Sequence, residues 1–241
     1  MILSVVIPAK NEKENVKPLV YEIVAALMDV IAFEIVYVDD GSEDGTYAEL
    51  LALVDEGITE LKPIQHQYSV GQSAGIYTGV SNAKGDLIVT LDADGQNDPA
   101  DISQLLFEAQ KLPLGADFCI AGYRKDRKDT KWKRFQSKIA NRVRSKLLHD
   151  NTPDTGCSLK IFPRKTFLKL PYFDHMHRFL PALVKRLNGK IVVVEVNHRD
   201  RQFGVSKYNM LGRLGVGLID MVGVIWLQRR NKLAVIVHPD D

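Results

Sequence analysis

The N-terminal part of this chain repeats one pattern, and that pattern leaves few folds open. Strand-like segments at Leu3–Ile7, a short apolar run rich in β-branched residues, and at Phe33–Val38, Leu61–Gln65 and Leu87–Leu91 alternate with segments of helical period. In the first such segment, Asn15 to Met28, the apolar positions are Val16, Leu19, Val20, Ile23, Val24 and Leu27, the spacing of one helix face. Helices are likewise predicted over Thr46–Val54 and Gly71–Asn82. Strand–helix alternation of this kind predicts an α/β domain with a mainly parallel sheet covered by helices on both faces.

Such sheets bind ligands beyond the carboxyl ends of their strands. Three of the strands end there in polar clusters: Pro8-Ala9-Lys10-Asn11-Glu12, Asp39-Asp40-Gly41-Ser42 and Asp92-Ala93-Asp94-Gly95-Gln96. Asp, Asn and Gly favour turns for local reasons, so one cluster alone signifies little. Three on one edge of a sheet mark a site. In the last cluster, alternate residues of an extended segment point the same way, so Asp92, Asp94 and Gln96 can converge on one hard cation. Mg²⁺ or Mn²⁺ held by one or two carboxylates, with phosphate oxygens completing the shell, suits a nucleotide diphosphate.

Composition narrows the remaining choices. The chain has 241 residues, 45% of them hydrophobic, enough for a packed core and against disorder. Its cysteines, Cys119 and Cys157, lack metal-ligand spacing and read as core thiols of a reducing cytoplasm. The start of the chain reads as a strand and not as a targeting segment. The longest apolar stretch, Leu214 to Leu227, contains Asp220 and falls short of the ~20 residues a membrane span needs.

Charge is unevenly distributed. Eleven Lys and Arg lie between Arg124 and Lys146 against Asp126 and Asp129, a local +9 in a chain whose formal net charge is +2. The block can serve as a solvated helix face, a nucleic-acid patch or a surface for anionic lipid. Only Trp132 and Phe135 interleave with it and no nucleic-acid motif accompanies it, so no nucleic-acid partner is expected. His175 and His177 flank Met176 without a carboxylate-rich surrounding, which favours a structural or substrate-side role over a metal site.

Taken in order, Val5–Glu12, Val36–Thr46 and Asp92–Gln96 resemble the signature of inverting, family-2 GT-A glycosyltransferases. Downstream, Ala121-Gly122-Tyr123-Arg124, Asp154-Thr155-Gly156-Cys157, and Arg199-Asp200-Arg201 with Gly204-x-Ser206-Lys207-Tyr208 resemble the polyprenyl-phosphate branch, of which dolichyl-phosphate mannose synthases are members. Two positions depart from the usual pattern: Lys10 stands where an aromatic residue is frequent, and Gly95 where leucine is common.

The resemblance implies a Rossmann-like GT-A domain over residues 1–209 and a nucleotide-diphosphate-sugar donor with Mg²⁺ or Mn²⁺. It also implies a polyprenyl-phosphate acceptor. It puts Pro8, Asn11 and Glu12 at base and ribose, with Asp39 at the base edge and Asp40 and Asp92 also on the donor nucleotide. Asp92, Asp94 and Gln96 would hold metal and diphosphate. Arg124, Lys133, Arg134 and Ser137 would face the acceptor phosphate, while Arg201, Ser206 and Lys207 would lie over phosphates. Asp94, Arg124 and Arg201 are the set expected to act on transfer itself. Asp154 is either an acceptor-side residue or a turn aspartate.

Residues 210–241 form the expected C-terminal amphipathic segment. Its apolar residues, Trp226 and the following Arg229, Arg230 and Lys232 suit an interfacial helix, or a helix packed on the core followed by a strand at Leu233–Val237. The first option puts the enzyme peripherally at the cytoplasmic face of a membrane, docked directly or through a separate membrane-spanning protein. Two rival functions remain: a GT-A transferase with a soluble or glycan acceptor, and an inactive membrane-surface module. The intact Asp92, Asp94 and Gln96 argue against the second, and the basic residues Arg124, Arg201 and Lys207 against the first.

Overall fold

The computed structural model describes residues 2–124, 144–203, 210–230 and 232. Its centre is a seven-stranded sheet built from β1 (Leu3–Ala9), β2 (Phe33–Asp39), β3 (Leu61–Gln65), β4 (Leu87–Thr90), β5 (Phe118–Arg124), β6 (Lys160–Pro163) and β7 (Lys190–Val196). The strand order is β3-β2-β1-β4-β6-β5-β7. All neighbours run parallel except β6, which is antiparallel to both β4 and β5.

The N-terminal elements follow the sequence pattern closely. Helices α1 (Lys13–Leu27), α2 (Thr46–Asp55) and α3 (Gln72–Asn82) fall where the period predicts them. They are followed by α4 (Ile102–Gln110), α5 (Arg164–Leu168), α6 (Leu180–Arg186) and α7 (Met210–Arg229).

Because side chains alternate along a strand, β1 serves two cores. Leu3, Val5, Ile7 and Ala9 pack with α1 and α4 through Val16, Leu19, Val20, Ile23, Ile102 and Leu105. Val6 points the other way, with Val36 and Val38, onto Ile76 and Val80 of α3 and the aromatic pair Phe162–Phe167. Strands buried on both faces read as continuous apolar runs, which is why β1, β2 and β4 were legible. Both cysteines are buried in these cores, and burial pushes the Cys119 thiol up to about 12.

Close helix–sheet approach depends on one face of α3. A Cβ on Gly79 would lie 2.4 Å from Val6 Cγ1, and one on Gly75 2.8 Å from Pro8 Cβ. This brings the N-terminus of α3 against the ends of β1 and β2, where the polar clusters gather.

The C-terminal helix is packed on the core by one face. Val224 is fully buried, and Met221, Ile225 and Leu227 join the second core cluster. Arg186 Nε donates to the Leu227 carbonyl at 3.1 Å, and Gln228 Nε2 donates to the carbonyls of Leu148 and Ala182 at 3.0 and 3.2 Å. The expected strand at Leu233–Val237 lies outside the described residues. Among the described residues no helix is long and apolar enough to cross a membrane.

Candidate active site

The three polar clusters meet at the carboxyl edge of β1, β2 and β4. After β1 the chain turns through Asn11, whose φ of 54° is left-handed, a conformation asparagine tolerates. Asn11 is clamped to the next cluster: its N–H donates to Ser42 Oγ at 2.8 Å and its Oδ1 accepts from the Glu43 N–H at 2.9 Å. The Glu12 N–H donates to Thr46 Oγ1 at 3.0 Å, and Glu12 Oε2 accepts from Asn15 Nδ2 at 2.7 Å. Pro8 is buried in β1 beneath them.

Asp39 and Asp40, adjacent in sequence, face different tasks. Asp39 accepts from the Ser42 N–H at 3.2 Å and from Gln65 Nε2 at 3.1 Å. Beside it opens a cavity of about 560 Å³ lined by residues that include Lys10, Ser42, Gln65, His66 and Tyr68. Asp40 instead organises the wall of that cavity. Its Oδ1 meets His66 Nδ1 and the Val70 N–H, and its Oδ2 accepts from Ser69 Oγ and the Gly71 N–H, all at 2.7–3.0 Å. Burial alone would push the Asp40 carboxyl up; these donors together hold it below the usual range. Gly41 lets the two walls meet, since a Cβ there would fall 2.7 Å from backbone atoms of Tyr68 and Ser69.

Asp92 and Asp94 follow β4. Asp92 Oδ1 accepts from Gln72 Nε2, the first residue of α3, at 2.8 Å. Burial first, and then the charge of Asp94, push the Asp92 carboxyl up, against the opposing pull of Ser158, Lys160 and Arg124. Asp94 Oδ1 accepts from the Gln96 N–H at 3.1 Å, and its Oδ2 receives Arg201 Nη2 at 2.5 Å. Arg201 Nη1 lies 3.6 Å from Glu12 Oε1. Gln96 therefore reaches Asp94 through its backbone, and its side chain donates to the Arg199 carbonyl at 3.5 Å.

Two carboxylates whose charges oppose each other, one of them already matched by a guanidinium, suit a divalent cation. Among the described residues no group of three His, Cys, Asp or Glu side chains could cage a metal. Asp92 and Asp94 are the acidic pair that could contribute ligands to an ion whose shell a diphosphate completes.

Arg124 closes the other side. Its Nε and Nη2 grip Asp154 Oδ2 and Oδ1 at 2.7 and 2.9 Å. Burial opposes the Arg124 charge, but the Asp154 pair outweighs it and raises the pKa. Of the basic block, Arg144 is paired with Asp150 at 2.8 and 3.2 Å and donates to the Thr152 carbonyl. Lys133, Arg134 and Ser137, like Ser206 and Lys207, lie outside the described residues.

Several supporting residues escaped sequence reasoning. Gln72 and Ser73 open α3, and Ser73 Oγ meets His177 Nδ1 at 2.7 Å. Asn97 Oδ1 accepts from Ser158 Oγ at 2.6 Å, tying the residue after the Asp92–Gln96 turn to the segment that leads from Asp154 into β6. Buried Lys160 donates to the carbonyls of Cys157 and Thr155. A lysine inside the apolar run Leu159–Phe162 was the available signal for the last.

The carboxyl edge of the sheet thus carries a cavity, an acidic pair and flanking arginines. The model of glycosyl transferase family 2 matches residues 4–170, and the chain belongs to that family. It is a glycosyltransferase.

Its curated relatives include dodecaprenyl-phosphate galacturonate synthase of Rhizobium johnstonii, 34% identical over 231 residues, covering 94% of this chain and 67% of the relative. Another is the undecaprenyl-phosphate 4-deoxy-4-formamido-L-arabinose transferase of Sodalis glossinidius, 30% identical over 236 residues, covering 97% of this chain and 71% of that one. In structure it is similar to mannosyl-3-phosphoglycerate synthase of Rubrobacter xylanophilus, with TM-score 0.68, 16% identity and coverage of 99% and 78%. Glucosyl-3-phosphoglycerate synthase of Mycobacterium tuberculosis, solved with Mn²⁺ and UDP, gives TM-score 0.65 at 15% identity, covering 94% of this chain and 79% of that one.

Proposed function

We propose that this enzyme transfers a sugar from a nucleotide-diphosphate-sugar to a polyprenyl phosphate, with inversion at the anomeric carbon. The observation that carries the reading is the pairing of one acidic edge, Asp92 and Asp94, with two arginines, Arg124 and Arg201, around the same cleft. A neutral acceptor needs no such second cation. The named activities of the polyprenyl-phosphate relatives support the same acceptor class.

An acceptor phosphate is already ionised near neutral pH, so its oxygen can attack the anomeric carbon without a general base. The bond from that carbon to the donor diphosphate breaks as the new one forms. The protein's work is to hold two anionic partners together and stabilise the departing charge. Asp39 and the cavity beside it receive the base, and the Asn11–Ser42 clamp shapes the ribose side. Arg124, its Nε and Nη2 held by Asp154, offers the remaining N–H groups of its guanidinium to acceptor phosphate, and Arg201 lies over the diphosphate. Bound at Asp92 and Asp94, Mg²⁺ or Mn²⁺ would supply Lewis-acid stabilisation of the leaving diphosphate.

The outer face of α7 supports action at a membrane surface. Leu218, Ile219, Val222 and Trp226 are 58–74% exposed, spaced to form one stripe, and Arg229, Arg230 and Lys232 follow. Such a face suits the headgroup region of an anionic bilayer, and the negative surface of a cytoplasmic leaflet favours that side.

The test is a panel of nucleotide sugars offered with a short polyprenyl phosphate and, separately, soluble sugar acceptors. Lipid-linked sugar phosphate formed with one donor, and lost reversibly in excess chelator, is the expected result. Transfer to soluble acceptors alone would replace the reading with a glycan-directed transferase.

A further inference from the structure

We propose that Arg201 is a resident counter-cation of Asp94 that a divalent metal ion must displace, so that metal alone binds weakly. This rests on the reading that Asp94 receives the metal.

Both oxygens of Asp94 are engaged within the protein. Oδ1 accepts from the Gln96 N–H at 3.1 Å, and Oδ2 is held by Arg201 Nη2 at 2.5 Å. A metal ion approaching that oxygen meets a guanidinium already bound there, so the two cations repel each other and compete for the same carboxylate. Asp94 is largely buried and Arg201 only partly exposed, so solvent screens the pair weakly and the competition is substantial.

The backbone that carries Arg201 is fixed independently of this contact. The Asn197 N–H and Nδ2 donate to Asp101 at 2.7 and 2.9 Å, and the Arg199 N–H donates to the Gln96 carbonyl at 2.9 Å. Arg199 also pairs with Glu22 and Asp98 at 2.6 and 2.7 Å. Displacement therefore requires only that the Arg201 side chain turn, with its root still anchored over the acidic turn. A diphosphate arriving with the metal offers the released guanidinium a new anionic partner. Metal and diphosphate then favour each other's binding, and the coupling is reciprocal.

The consequence runs opposite to that of a merely structural arginine. Loss of a structural contact would loosen the turn and weaken metal binding; loss of a competitor strengthens it. Mn²⁺ binding to the full chain, without nucleotide, can be followed by the electron paramagnetic resonance of free Mn²⁺. Arg201→Gln is expected to tighten Mn²⁺ binding by about tenfold, within the usual range of such couplings. Arg201→Lys, which keeps charge but loses the planar fork, should fall between the two and serves where the glutamine variant does not fold.

Unchanged or weaker Mn²⁺ binding in folded Arg201 variants overturns the proposal. Asp94→Asn separates this from failure of the underlying reading. If Asp94→Asn abolishes Mn²⁺ binding while Arg201→Gln fails to tighten it, only the counter-cation role is lost. If Asp94→Asn binds Mn²⁺ as the wild type does, the metal assignment falls, and the proposal with it.

Discussion

Arg124 and Asp154, thirty residues apart, form a two-pronged ion pair with Nε–Oδ2 at 2.7 Å and Nη2–Oδ1 at 2.9 Å. Their side chains are only 12% and 4% exposed. The guanidinium at the end of β5 is thereby held in place near the Asp92 carboxylate, and Asp154 is the residue that orients it.

Breaking one half of this pair leaves an uncompensated charge in a nearly dry place. Asp154→Ala should destabilise the fold by about 3–5 kcal/mol, and the double variant with Arg124→Ala by less than the sum of the two. Chemical denaturation of the four proteins measures the coupling. In assays with saturating donor, Arg124→Ala should depress acceptor turnover while donor affinity changes little; a collapse of donor affinity instead would move Arg124 to the donor side.

Acid sensitivity should trace in part to Glu34, at the opposite end of the sheet from the site. Burial pushes its carboxyl up, but Lys62, Ser4 and the Lys84 N–H together hold it below the usual glutamate range. Ser4 Oγ donates to Glu34 Oε1 at 2.6 Å, and Lys62 pairs with Oε2. A folded pKa below the unfolded one gives stability that is present above the unfolded value and lost as pH falls through the folded value. Glu34→Gln should therefore melt lower at pH 7, by about 1–3 kcal/mol, and show a smaller fall in Tm between pH 7 and pH 4. Parallel wild-type and variant curves would remove Glu34 from the acid transition.

Gly41 permits contact between the turn after β2 and the loop at Tyr68 and Ser69. Its φ is +66°, and the clash of an added Cβ is with backbone on the facing loop. Gly41→Ala should cost about 1–3 kcal/mol and weaken nucleotide binding, because the loop it displaces lines the cavity beside Asp39. Thermal melts and nucleotide titration test the two effects; intact affinity in a destabilised protein would detach the loop from base recognition.

The two faces of α7 should separate under mutation. Leu218→Asp with Val222→Asp alters exposed positions, so stability should shift by no more than about 0.5 kcal/mol. Co-sedimentation with anionic liposomes should fall several-fold. Val224→Asp, at the buried face, should unfold or detach the helix. Undiminished liposome binding by the surface double variant would leave docking to other parts of the chain.

The sequence by itself determined the alternation of strands and helices from β1 through β4, because strands buried on both faces, as β1, β2 and β4 are, read as largely apolar runs and a packed helix must repeat every third or fourth residue. It also marked Asn11, Asp39, Asp92 and Asp94, since each ends an apolar run. β5, β6 and β7 were not read in advance: β6 is four residues long with buried Lys160 at its start, and β7 has exposed Lys190 and Glu195. Only tertiary structure decided what the acidic residues do. Asp39 and Asp40 are neighbours of the same chemistry, yet Asp39 at the end of β2 is bound by Ser42 and Gln65 while Asp40, just past the strand, binds the 66–71 loop, a division set by where the chain lays each carboxylate. Likewise the partnership of Asp94 with Arg201 spans 107 residues. No local pattern encodes it, since it exists only where the segment after β7 is laid across the turn after β4.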